Sequence, residues 1–389
     1  MKVAKLFFEL IRYSIKGDKL SDETLGGVRE EQLNSLFVLS KKHDCAHLVT
    51  YALFENGLLS KDHPSYQKLV YEQSLAVFRY ENINYELNQV CEFLDKHCVV
   101  HIPLKGSVIR SFYPQPWMRT SCDIDILIKS EERERVVQLL TDEYGCKLDS
   151  VFDYEISLYT PRNVHLEIHL NLVAERQDKI IDDVLSGVWE SSTVRDGYSY
   201  SMEISDAMFY FYHVAHLSKH FCASGCGVRP FIDLWLLNNV KEYDQDKRDE
   251  LLERGKLAKF DQGAKKVVAV WLDGEKHDEI SKEIEDYVLQ AGVYGIKENW
   301  KYYYQNKNGG KLRYALSRIF LSFKELCKYY PSLEKHKWLY PFYQVRRWFK
   351  ILFCGGVKRS VKELNEIKNL SNDTYIKREK MMNNLGLWK

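Results

Sequence analysis

Proline is scarce, 8 in 389 residues, and neither low-complexity tracts nor internal repeats occur, which argues against disorder. No run reaches the roughly 18 uninterrupted apolar residues that a membrane-spanning helix needs. Residues 1–12 meet a charge too early for a secretory apolar region and are spaced instead like an amphipathic helix. Paired cysteine motifs are missing too. The 9 cysteines are odd in number and contain no Cys-x-x-Cys, so no disulfide framework is expected, and a reducing cytoplasm is the expected compartment. A net charge of only +1 supplies no whole-molecule field toward nucleic acid or membrane.

What is present is ordinary globular material. The chain is 45% hydrophobic and 13% aromatic with 26 Tyr, enough for a sizeable core and for two or more domains. The near-neutral balance hides an asymmetry. Residues 301–389 hold 20 Lys and Arg against 6 Asp and Glu, so the first 300 residues are acidic. The basic part is expected either to dock on the acidic remainder or to receive an anionic partner.

Residues 1–97 read as helices. Leu36, Leu39, Leu48, Tyr51 and Leu53 keep helical spacing, a long periodic run covers 66–97, and Gly57 and His63-Pro64 mark a break. Residues 98–185 alternate strand, helix and strand. Ser130-Glu131-Glu132 predicts a helix start with a hydroxyl cap, Gly145 its end, and Pro161-Arg162-Asn163 a hairpin turn between strands at 155–159 and 164–170. From Ser205 the pattern is helical again, with a turn at 225–229 and breaks at Gly309-Gly310 and Gly355-Gly356. The expected divisions are 1–97 (helical), 98–185 (α/β core), 186–300 (helical, lining a cleft) and 301–389 (basic, helical). The fold class is α+β, a small mixed sheet flanked by N-terminal and C-terminal helical domains.

The chemistry concentrates at Cys122-Asp123-Ile124-Asp125-Ile126-Leu127-Ile128. Strand side chains alternate, so Asp123 and Asp125 share one face while Ile124, Ile126 and Ile128 point into a core. Adjacent carboxylates repel unless a cation holds them, and hard oxygen donors suit Mg²⁺. A second strand, His165-Leu166-Glu167-Ile168-His169, places Glu167 as a third oxygen donor with His165 and His169 beside it.

The run Leu104-Lys105-Gly106-Ser107, Tyr113-Pro114, Arg119, Asp123-Ile124-Asp125 and His165-Leu166-Glu167-Ile168-His169 resembles the polymerase β-type nucleotidyltransferase superfamily. More narrowly it is similar to a bacterial family of uncharacterised nucleotidyltransferases, with the likeness continuing through 213–233. Gly106-Ser107 stands farther upstream of Asp123 than the superfamily has it, because residues 113–117 are interposed. The resemblance implies a nucleotidyltransferase α/β core that moves a nucleoside monophosphate from a triphosphate to a hydroxyl acceptor and releases pyrophosphate. It implies Asp123, Asp125 and Glu167 as catalytic and metal-holding groups for Mg²⁺ or Mn²⁺. Lys105, Gly106, Ser107 and Arg119 become the nucleotide-binding candidates, and His213, His216, Arg229 and Asp233 secondary ones.

Each candidate has a plainer alternative. Lys105 is otherwise a solvated cation at a strand end, and Arg119 a structural partner of Asp123. His165 and His169 are a general base or extra ligand, or polar residues lining a wet cleft. His213, His216, His220, Cys222 and Cys226 suggest zinc, though at a spacing unlike the common zinc sites. An Arg229–Asp233 pair at i,i+4 fits a helix-surface bridge. The aromatic and basic segment 337–353 reads as a nucleic-acid stack, a membrane-surface helix or, plainest, a helix pair with its aromatics on the core. Two rivals to catalysis of nucleotidyl transfer stand: an inactive nucleotide-binding or interaction module on the same fold, and a sugar-nucleotide glycosyltransferase. The last needs an α/β half upstream, where this chain reads as helical.

Overall fold

A computed structural model describes residues 2–172, 178–240, 244–353 and 356–388. The chain divides into two units, residues 1–220 with 226–294, and residues 221–225 with 295–389.

The first unit is built on a five-stranded sheet. Its strands are β1 (His101–Pro103), β2 (Asp123–Ile128), β3 (Lys147–Val151), β4 (Glu155–Tyr159) and β5 (His165–His169), in the order β1-β2-β5-β4-β3. β2 and β5 run parallel while the other neighbours pair antiparallel, so the sheet is mixed. One face is apolar. Ile124, Ile126 and Ile128 of β2, Ile156 and Leu158 of β4, and Leu166 and Ile168 of β5 are all buried. Against them pack Ile83, Leu87, Val90 and Leu94 of the helix Tyr66–Lys96 and Val136 of the helix Arg133–Gln138. The period-2 alternation that commits these side chains to the core delivers every intervening polar residue to the opposite face.

The expected hairpin is present. β4 and β5 pair through a turn in which Asn163 takes a left-handed φ of 60°. The hydroxyl cap expected of Ser130 is not made. Lys129, extended at φ −69° and ψ 138°, occupies the cap position, and a 3-10 turn at Ser130–Glu132 precedes the helix. Two strands interrupt the stretch from 186 that was expected to be helical: β6 (Ser192–Val194) and β7 (Met202–Ile204) form a separate antiparallel hairpin. It is too short for periodicity to announce. The N-terminal helices are as expected, with Phe8 of the helix Val3–Lys16 stacked at 4.5 Å on Trp271 of the helix Ala258–Leu272.

The second unit is helical among its described residues, its α-helices ending at Lys307, Ile319, Tyr329, Phe353, Lys368 and Asn384. Gly309 and Gly310 supply the first break at φ 69° and 125°; Gly355 lies outside the described residues. The aromatic segment packs only partly on a core. Leu339, Tyr340 and Tyr343 lie against Leu321, Leu326, Cys327 and Leu333, whereas Trp338, Phe342, Phe349 and Phe353 are exposed. The helix Tyr340–Phe353 can turn only one face toward so small a cluster.

Candidate active site

Strand register decides the site. Asp123 stands opposite His165 and Asp125 opposite Glu167 across the parallel β2–β5 pair, so the three carboxylates and the two histidines emerge from one face. β4 adds to it, with Ser157 opposite Glu167 and Glu155 opposite His169. Glu155 is a fourth carboxylate that residue-by-residue reading missed. The hairpin turn, counted backward from His169, was the signal that would have found it.

His169 sits among the acids. Its Nε2 donates to Asp125 Oδ1 at 2.8 Å and lies 3.5 Å from Glu167 Oε2, with Nδ1 3.6 Å from Glu155 Oε2. Burial opposes its charge, but the hydrogen bonds to Asp125 and Glu167 win and raise its pKa. Lys105 Nζ donates to the same Asp125 oxygen at 2.5 Å. Lys105 reaches there from a residue with φ 48° and ψ −121°, a conformation an L side chain adopts only under constraint, at the junction between β1 and the one-turn helix Gly106–Ile109. Burial would raise the Asp125 carboxyl; Lys105 and His169 override it and hold the group far below the ordinary range. Asp123, by contrast, is pushed up by burial and by Asp125 and Glu167 beyond what Lys105 offsets. Glu155 is pushed up by burial and by Glu167. The face therefore holds more negative charge than its own cations neutralise.

That donor set fits a hard divalent cation. Asp123, His165 and Glu167 bring ligand atoms within 4.8 Å of one another, as do Asp125, Glu167 and His169. Glu167 belongs to both triads. His165 is also tied down, with Nε2 2.7 Å from Ser157 Oγ.

The other candidates separate. Gly106 lies close to the Arg119 side chain, and a Cβ there would meet Nη1 at 3.3 Å, so its lack of a side chain serves that approach. The Ser107 N–H donates to Leu104 O, and Ser107 lines a different cavity with Leu87, Phe112 and Tyr210. Arg119 does not pair with Asp123. Its Nε donates to both oxygens of Asp233 at 2.9 and 3.0 Å, and Asp233 also accepts from Tyr113 Oη at 2.7 Å, all buried. The Arg229–Asp233 surface bridge is likewise absent: Arg229 Nη1 donates to Asp44 at 2.6 Å and to Thr120 O at 3.0 Å. These pairs join the loop 113–120 to the helix Arg229–Asn239 and to Asp44, because buried charges take whichever opposite charge the packing brings nearest.

His213, His216 and His220 do share a face. With Lys105, Tyr212, Arg119, Arg229 and Asp233 they line a cavity of about 200 Å³. His213 Nε2 donates to Pro230 O at 2.8 Å, and the Nε2 atoms of His216 and His220 lie 3.2 Å apart. Burial lowers all three pKa values, His220 to about 4, so these rings are neutral at pH 7. No zinc cluster joins them to Cys222 or Cys226 among the described residues.

The sequence profile of a family described as uncharacterised nucleotidyltransferase matches residues 29–273, more than half of the chain. The chain belongs to that family. The match spans the sheet, both metal-competent triads and the cavity-lining helix Asp206–Ala223, and stops short of residues 295–389, the longer stretch of the second unit. No curated protein and no solved structure matches the chain. Membership supports a transferase of nucleotides; the clustered acids are those able to bind a metal. No helix among the described residues is long and apolar enough to cross a membrane.

Proposed function

We propose that this family member transfers a nucleoside monophosphate from a nucleoside triphosphate to a hydroxyl-bearing acceptor, releasing pyrophosphate. The observation that carries the reading is the pairing of Asp125 with Glu167 in register, with Asp123 on the same face.

Asp123, Asp125 and Glu167 would hold Mg²⁺ or Mn²⁺. Such an ion, when bound, supplies Lewis-acid polarisation of the phosphate and lowers the pKa of the acceptor hydroxyl. The chain's own residues do the rest. Lys105, drawn against Asp125, provides an ammonium for the triphosphate oxygens. His169 keeps a proton on Nε2 and orients Asp125. Glu155 adds negative charge behind His169 and favours that protonated ring. Tyr212 and the three histidines form the wall of the adjoining cavity, which the acceptor or the base would enter past Lys105.

Incubation of the protein with each labelled triphosphate, Mg²⁺ and cell extract tests this. Transfer with pyrophosphate release is expected from the wild type and lost in Asp123→Ala. Transfer undiminished in that variant overturns the metal assignment. Tight triphosphate binding by calorimetry with no pyrophosphate release under any acceptor identifies the rival, a binding module on the same fold.

A further inference from the structure

The second unit carries a feature that nucleotidyl transfer does not use. The helix Tyr340–Phe353 is fastened along one side only. Tyr340 Oη donates to Leu321 O, Gln344 is buried and bonds to the same carbonyl, Arg347 donates to Ile319 O and Arg318 O, and Trp348 Nε1 donates to Ile319 O at 2.9 Å. At 100° per residue these positions leave the opposite arc to Phe342, Val345, Phe349, Leu352 and Phe353. That arc is in water: Phe342 is 65% exposed, Phe349 56%, Leu352 60% and Phe353 78%. Trp338, 71% exposed, precedes it in the turn Lys337–Leu339. Pro341 does not break the helix. It sits in the first turn, where its missing N–H has no intrahelical carbonyl to meet.

Arg346 and Lys350, both exposed, border the apolar arc along its Phe353 side, and the exposed Lys335 and Lys337 lie just upstream. The surrounding 301–389 segment has 14 more basic than acidic residues, opposite in sign to the rest of the chain. A continuous strip of Phe, Leu and Val edged by cations is the composition of a helix lying in a lipid interface. Nucleic acid is the poorer fit, because Val345 and Leu352 offer no ring to stack on a base. A second copy would bring like charge against like.

We propose that the helix Tyr340–Phe353 docks this protein on an anionic membrane surface, with Phe342, Phe349, Leu352 and Phe353 entering the headgroup region and Arg346 and Lys350 meeting lipid phosphates. The helix lies in the interface and does not span it. This docking is independent of the transfer chemistry.

Flotation of the full chain with phosphatidylcholine vesicles, with and without phosphatidylglycerol, tests it. Binding to the phosphatidylglycerol vesicles is expected, weakening as salt rises. Phe349→Glu with Leu352→Glu should weaken it at least about tenfold, by removing two apolar side chains that enter the lipid. Both residues face solvent, so circular dichroism and the unfolding midpoint should match the wild type. Lys350→Glu should selectively reduce the preference for phosphatidylglycerol. Absence of vesicle binding at low salt, or binding indifferent to the double substitution, overturns the proposal. So does a dimer that the same substitutions dissociate, or a preference for single-stranded RNA over vesicles.

Discussion

Asp233→Ala isolates the buried network that positions the loop before β2. The native carboxylate accepts two bonds from Arg119 Nε and one from Tyr113 Oη, with the Asp233 side chain 1% and the Arg119 side chain 10% exposed. Removing the carboxylate strands a buried guanidinium, which costs about 3–5 kcal/mol, and frees a buried hydroxyl. The expected result in urea unfolding is a loss of about that size, and in a thermal scan a midpoint lowered by roughly 5–10 °C. Arg119→Met with Asp233→Leu should recover most of it, because an apolar pair of similar volume replaces the ion pair without leaving a lone charge. Only the Tyr113 hydroxyl then lacks its partner, at about 1 kcal/mol. A single variant within about 1 kcal/mol of wild type, or a double variant no better than the single, refutes the assignment of Arg119 and Asp233 to the scaffold.

Three further outcomes are expected. Lys105→Met removes the ammonium that competes for Asp125, so Mn²⁺, titrated without nucleotide and followed by electron paramagnetic resonance, should bind on the order of tenfold tighter. His43 is fully buried, and burial and then Lys42 lower its pKa to about 4 from 6.5. The unfolded chain therefore takes up a proton first as pH falls below 6.5, and about 3 kcal/mol is lost by pH 4. Urea midpoints at pH 7 and 4.5 should differ less in His43→Leu than in the wild type. A Cβ at Gly255 would stand 2.3 Å from the buried Phe211 ring, so Gly255→Ala should cost about 1–3 kcal/mol in the same assay.

The carboxylate face was legible because it rests on period-2 alternation, a local property. Asp123 and Asp125 declare their common face within a single strand, and the isoleucines between them declare the core. That Glu167 joins them needed the second strand to run parallel and in register, which no local pattern states. Glu155 belonged to the same reading once the hairpin was accepted, since the turn at 160–164 sets its register with His169. The short pair β6–β7 escaped because three-residue strands carry too few positions to show a period.

What the sequence by itself determined is the α+β order of elements, the family and the acidic strand pair, because alternation, helical spacing and motif are written along the chain. Tertiary structure alone decided which charges meet. Arg119 takes Asp233, Arg229 takes Asp44 and Lys105 takes Asp125, across separations of tens to nearly two hundred residues. It also decided that Phe342, Phe349 and Phe353 face solvent, because a helix pattern names an apolar stripe without naming what covers it.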